Sequence, residues 1–180
     1  MDTDDEPFNI AASRNAGIIR AERNKSDVAI IADACVLAER DPTLAAIASA
    51  FDGLVHLPYD RHRQLSANGT KQYSTGTALR DCHYSAESAN TGGVYVATPS
   101  AWRACGGQDE EFKGWGGEDN ALYIAHATLL GKTPVRHPGY IYCLHHSRTS
   151  NPNYGNNLAR LALYQKAAGD SAAIRKLVRI

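Results

Sequence analysis

The sequence predicts an α/β fold, a mixed sheet flanked by helices, on three observations. Asp27 to Ala32 reads Asp-Val-Ala-Ile-Ile-Ala, a short, β-branched, nearly continuous apolar run of the kind that forms a strand buried on both faces. The segments on either side of it carry apolar residues at helical spacing. A glycine-rich stretch at 106–120 then runs into a second apolar, helix-forming segment, Ala121 to Leu130. A length of 180 residues suits one domain, spanning 1–180, with a real core.

Taken in order, residues 1–6 form an acidic tail. Ile10 to Arg23 reads as a helix with Ile10, Ala11, Ile18 and Ala21 as its apolar positions. Asn24-Lys25-Ser26 breaks it ahead of the strand at 27–32. Asp33 stands at that strand's carboxyl end, where ligands bind in open α/β sheets. A second helix starts at Asp41-Pro42, with a cap residue before a proline. It carries Leu44, Ile47 and Phe51 and stops at Gly53. Leu54 to Tyr59 is a second strand. Residues 60–91 show no periodicity and many small polar side chains, which predicts a long mobile loop. Gly92-Gly93 opens a strand, Val94 to Ala97, and Thr98-Pro99 starts a short helix. Beyond the helix that ends at Gly131 come strands at 133–137 and 139–144. A helical segment with Leu158, Leu161 and Tyr164 on one face fills 151–180.

The stretch 106–120, Gly-Gly-Gln-Asp-Glu-Glu-Phe-Lys-Gly-Trp-Gly-Gly-Glu-Asp-Asn, organises the rest. Five glycines in fifteen residues cannot be an element interior, and glycine lets backbone approach a ligand closely. Trp115 offers an indole face to a sugar ring. Glu118 and Asp119 stand at a helix N-terminus, which favours their charged forms. One such acid can anchor an acceptor hydroxyl while the other takes its proton. Taken alone, two acids at this place would serve only the helix dipole.

Bulk properties exclude several classes. With 19 basic and 19 acidic side chains the formal charge is zero, which leaves no strong nucleic-acid signal. No apolar run reaches membrane-spanning length. The acidic N-terminus does not read as a secretory leader, so a cytoplasmic setting is expected. Cys35, Cys82, Cys105 and Cys143 are scattered without C-x-x-C spacing, which argues for free thiols and against a zinc site.

The run from Gly106 to Asp119 resembles the acceptor-side signature of inverting glycosyltransferases of the GT-A (Rossmann-like) fold. It is most similar to the galactosyltransferase C-terminal domain and to short bacteriophage glycosyltransferases. The resemblance covers about residues 7 to 147 and implies a role for each matching position. Asp119 would be the catalytic base, and Trp115, Gly116, Gly117 and Glu118 would hold the acceptor. Arg14, Asn15, Asp33, Gly92 and Gly93 would face the donor, a nucleotide-sugar of the UDP class. A divalent cation, Mn²⁺ or Mg²⁺, would be bound by Asp33 and by His146, which the strand register favours over His145. The family's Asp-x-Asp motif here reads Asp33-Ala34-Cys35. A cysteine therefore replaces the acid that binds metal in the galactosyltransferase branch, and thiolate is a poor partner for a hard ion. Either Asp33 alone serves the metal, or metal binding is weak, or the site is dead. The family also opens with a strand-helix-strand unit that this chain lacks, so the domain is expected to be N-terminally incomplete, completing its sheet through a partner or a dimer.

Three functions follow from these residues. The first is transfer of a sugar, with inversion, to an acceptor hydroxyl on a glycan, a protein or a modified base. The second is a catalytically degenerate sugar- or nucleotide-binding remnant of the same fold. The third, a metal hydrolase using His137, His145 and His146, lacks paired-ligand helix spacing.

Overall fold

The computed structural model describes residues 8–147 and 150–178; the acidic tail at 1–6 lies outside them. Helix α1 (Ile10–Arg23) starts where Asn9 accepts a hydrogen bond from the Ala12 amide at 3.0 Å. It leads to β1 (Ala29–Ala32), and three residues later the chain enters β2 (Val36–Ala38). Helix α2 (Arg40–Ser49) and a 3₁₀ turn end at Gly53, whose φ of 84° is left-handed. Strands β3 (His56–Leu57) and β4 (Arg61–Leu65), α3 (Ala67–Ser74), β5 (Tyr84–Ser88) and β6 (Val94–Ala97) follow, then α4 (Pro99–Ala104). After the glycine stretch come α5 (Glu118–Leu130), β7 (Val135–Arg136), β8 (Tyr140–Cys143), α6 (Tyr154–Ala167) and α7 (Ser171–Val178).

The strands form two mixed four-stranded sheets, ordered β1-β6-β3-β7 and β2-β8-β4-β5. Within them β3 runs parallel to β7 and β4 parallel to β8, while the other pairs are antiparallel. The α/β architecture expected from the sequence is therefore present. The chain changes sheet between β1 and β2, through Asp33, Ala34 and Cys35. The first sheet and helices α1, α4 and α5 close over Ile18, Val55, Leu57, Tyr95, Trp102 and Leu122. A second core, with Phe112, Ala121, Ala125, Leu161, Tyr164 and Ile174, joins α5 to α6 and α7.

Three expectations need correction. Residues 60–91 are not a structureless loop but contain β4, α3 and β5. Both strands escape periodicity analysis because β5 is exposed along its whole length and Arg61-His62-Arg63-Gln64 offers no apolar alternation. Strand β1 is not buried on both faces: it is an edge strand, and Ile30 is 51% exposed. Helix α2 and the 3₁₀ turn after it bury Ala46 and Ala50 against Val96 rather than Leu44 and Phe51, which are exposed; the small side chains permit closer helix–sheet approach.

Candidate active site

The sheet change at Asp33–Cys35, the N-terminus of α5, the Gly92-Gly93 turn and one face of α1 enclose a cleft of about 1260 Å³. Arg14, Asp33, Cys35, Gly92, Gly93, Trp115, Gly116, Gly117, Glu118, Asp119, Cys143 and His146 all line it. Residues separated by more than a hundred positions thus meet at one place.

Arg14 is the centre of the charge arrangement. Placed on the inner face of α1, it is 6% exposed, not the solvent-facing arginine that an isolated helix would suggest. Its guanidinium donates to Asp33 Oδ1 at 2.6 Å, to Asp119 Oδ1 at 2.7 Å and to Gln108 Oε1 at 3.1 Å. Glu118 Oε1 lies 4.0 Å away. Burial opposes the guanidinium charge, but Asp119, Tyr95 and Asp33 outweigh it and raise its pKa above the ordinary value.

Asp119 Oδ1 accepts two further hydrogen bonds, from Gln108 Nε2 at 2.9 Å and from the Tyr95 hydroxyl. Burial and the adjacent carboxylate push the Tyr95 phenol well above its usual pKa, so it stays a donor. Asp119 Oδ2 accepts no hydrogen bond among the described residues. It occupies the space that a Cβ on Gly92 would fill, 1.8 Å from that position. Glycine at 92 is therefore what allows the carboxylate to sit there, and the Gly92 carbonyl is itself fixed by the Tyr59 hydroxyl at 2.6 Å.

Glu118 is 4% exposed and accepts the Gly116 amide at 2.7 Å. Burial, reinforced by Asp119, pushes its carboxyl up to about 7. The turn that delivers both acids depends on Gly116 and Gly117, with φ of 107° and 97°. A Cβ at these glycines would meet Tyr154 and Phe112 at 2.9 Å. Trp115 is 43% exposed, with its ring 5.5 Å from that of Tyr154. Asn151 anchors the Trp115 carbonyl at 2.6 Å.

Asn15 does not line the cleft. Its side chain ties the glycine stretch to α1, donating to the Gln108 carbonyl at 2.7 Å and accepting from Trp102 Nε1 at 2.9 Å. His145 is outside the cleft lining too. His137 belongs to a separate chain of contacts, with His56 Nδ1 at 3.0 Å and His56 Nε2 in turn 3.0 Å from Asp52. Of the three histidines named for a hydrolase, His146 lines the cleft with the acids, while His137 and His145 do not. Sequence reasoning missed Tyr95 and Gln108, which together orient Asp119. Gln108 stood inside the glycine stretch, and Tyr95 follows the glycine pair on β6, but neither residue type stands out without the fold.

Residues 74–147 match the family described as the N-terminal domain of galactosyltransferase. That match spans under half of the chain and supports a glycosyltransferase-like domain. The match covers Gly92, Gly93, Trp115 to Asp119, Cys143 and His146, and supports glycosyl transfer as its general chemistry. That family is an N-terminal domain, whereas Gly106 to Asp119 resembles a C-terminal one, and the two agree at the level of the galactosyltransferase type. No curated protein matches the chain. No helix among the described residues is long and apolar enough to cross a membrane.

The Mn²⁺ or Mg²⁺ expected beside Asp33 can be tested against the donors present. These ions take hard oxygen ligands. Asp33 Oδ1 is engaged by Arg14. Among the described residues the side chains that do converge are Cys35, Cys143 and His146, whose ligand atoms lie within 4.8 Å of one another. Two thiols and an imidazole do not suit a hard cation.

Proposed function

We propose that this protein transfers a sugar from a nucleotide-sugar, of the UDP class, to an acceptor hydroxyl with inversion of the anomeric centre. The observation that carries the proposal is the state of Asp119: one carboxylate oxygen is held by three donors and the other by none among the described residues, at the mouth of a cleft that also presents Trp115 and Glu118. A base must be positioned before it can act, and the Oδ1 contacts supply that positioning. Oδ2 takes the acceptor proton as the acceptor oxygen attacks the anomeric carbon. The bond from that carbon to the nucleoside diphosphate breaks on the opposite face.

Glu118, with its carboxyl near neutrality, can either donate to or accept from an acceptor hydroxyl. Trp115 presents its ring face to the acceptor sugar. Arg14 is a positioning residue: its contacts go to Asp33, Asp119 and Gln108, and it holds the acids in register.

The test is diphosphate release from UDP- and GDP-sugars with simple glycoside acceptors, followed by the anomeric configuration of the product. Asp119→Asn should lower turnover by roughly 10²–10⁴-fold with an unchanged thermal midpoint. Full activity in that variant would remove Asp119 as the base. The second reading, a non-catalytic sugar- or nucleotide-binding remnant, is favoured by Cys35, a thiol in place of an acid. It expects binding without turnover of any donor, even after Cys35→Asp, and measurable turnover excludes it.

A further inference from the structure

We propose that Cys35, Cys143 and His146 form a binding site for a soft or borderline divalent cation of the zinc class, with a coordination position open to the cleft. This assignment stands apart from the transfer reading. It rests on which side chains meet, not on what the cleft catalyses.

The fold brings the ligands together through strand register. Val36 at the start of β2 pairs with Cys143 at the end of β8, and the Leu144 amide donates to the Cys35 carbonyl at 2.8 Å. The two sulfurs consequently lie 3.6 Å apart, with no disulfide between them. Zinc binds thiolate at about 2.3 Å and imidazole nitrogen at about 2.0–2.1 Å, so tetrahedral angles put two sulfur ligands about 3.8 Å apart. The observed sulfur separation thus already approximates one edge of a tetrahedron.

The histidine is prepared for the same role. His146 Nδ1 lies 3.1 Å from the Ser147 carbonyl, which accepts from it and leaves Nε2 with its lone pair. Cys143 is buried at the base, Cys35 is partly exposed and His146 is exposed. All three line the cleft, so the open side of the cluster faces it. A three-ligand set with an open fourth position is the arrangement of an exchangeable or reactive zinc site, not a closed structural one. Binding would deprotonate both thiols and release two protons per cation.

The whole chain, reduced and stripped with a chelator, is titrated with Co²⁺ as an optical probe and then challenged with Zn²⁺, Mn²⁺ or Mg²⁺. The expected result is one Co²⁺ per chain with a sulfur-to-cobalt charge-transfer band. Equimolar Zn²⁺ abolishes the band, while excess Mn²⁺ or Mg²⁺ leaves it. Zn²⁺ also raises the thermal midpoint, because it binds the folded state. Cys35→Ser and the exposed-side variant His146→Ala each lose tight binding with folding retained, and Cys82→Ser keeps it.

A folded chain with no sulfur band overturns the proposal, as does a band that survives Cys35→Ser or is displaced by Mn²⁺. Recovery of Cys35 and Cys143 as a disulfide that dithiothreitol cannot keep open would assign the pair to redox chemistry instead. None of these readouts uses a sugar donor, so failure of the transfer reading leaves this result interpretable.

Discussion

Replacing Glu118 with glutamine tests the electrostatics of the site without any knowledge of its substrate. Glu118 is 4% exposed, and burial together with Asp119 moves its carboxyl from the ordinary 4.5 to about 7. Arg14 and the backbone amides of Glu118 and Gly116 only partly oppose that rise. In the unfolded chain the same group ionises near 4.5. The neutral carboxyl therefore favours the folded state. Its contribution is complete below 4.5 and is lost as pH rises through about 7. Each tenfold change in proton activity is worth about 1.4 kcal/mol, so the loss amounts to about 3 kcal/mol once the group is fully ionised in the fold.

Glutamine copies the neutral carboxyl and still accepts from the Gly116 amide. Glu118→Gln should thus match the parent in acid and exceed it by about 3 kcal/mol near about pH 8.5. For a chain of this size that is a rise of roughly 6–12 °C in thermal midpoint. Urea or thermal unfolding of both proteins across a pH series measures it. A stability difference that stays constant with pH, or a variant less stable in alkali, would refute the reasoning that a buried acid is forced to ionise there.

Two other substitutions probe the positioning of the site. Gly92→Ala puts a Cβ 1.8 Å from Asp119 Oδ2, so the carboxylate must shift by more than an ångström. Turnover should fall by about 10²-fold with the fold intact, and normal kinetics would show that Oδ2 is not where the proton goes. Asp109→Asn removes the negative charge that Arg160 Nε meets at 2.5 Å and the Tyr164 hydroxyl at 2.9 Å, linking the glycine stretch to α6. Leaving that cation unpaired should cost about 3 kcal/mol in denaturant unfolding, and an unchanged midpoint would remove the link from the account.

What could be read from the sequence followed the strength of local signals. Helix α5 was legible because glycines bound it at both ends, Gly117 and Gly131, each left-handed in the fold. Helix α1 was legible from its spacing, but the burial of Arg14 was not, since its partners Asp33, Gln108 and Asp119 are brought to it only by the fold. Strand β4 was invisible because its charged residues make contacts that hydropathy does not register, such as Arg63 with Glu87 at 2.8 Å. Cys143 carried no signal as a partner of Cys35. A spacing rule looks along the chain, and these sulfurs meet across two strands 108 positions apart.

Helix α5 is gripped from both sides: Leu122 enters the core beneath the first sheet, while Ala121 and Ala125 lie against α6 and α7. Those C-terminal helices supply none of the cleft wall, yet they are the backstop against which its acidic corner is braced. Small alanines of α5 meet the larger Leu161, Tyr164 and Ile174 there, so a displacement of α6 would be passed to the helix that starts at Glu118 and Asp119. Any load on that corner would then be borne by the far side of the molecule, by helices that line none of the cleft.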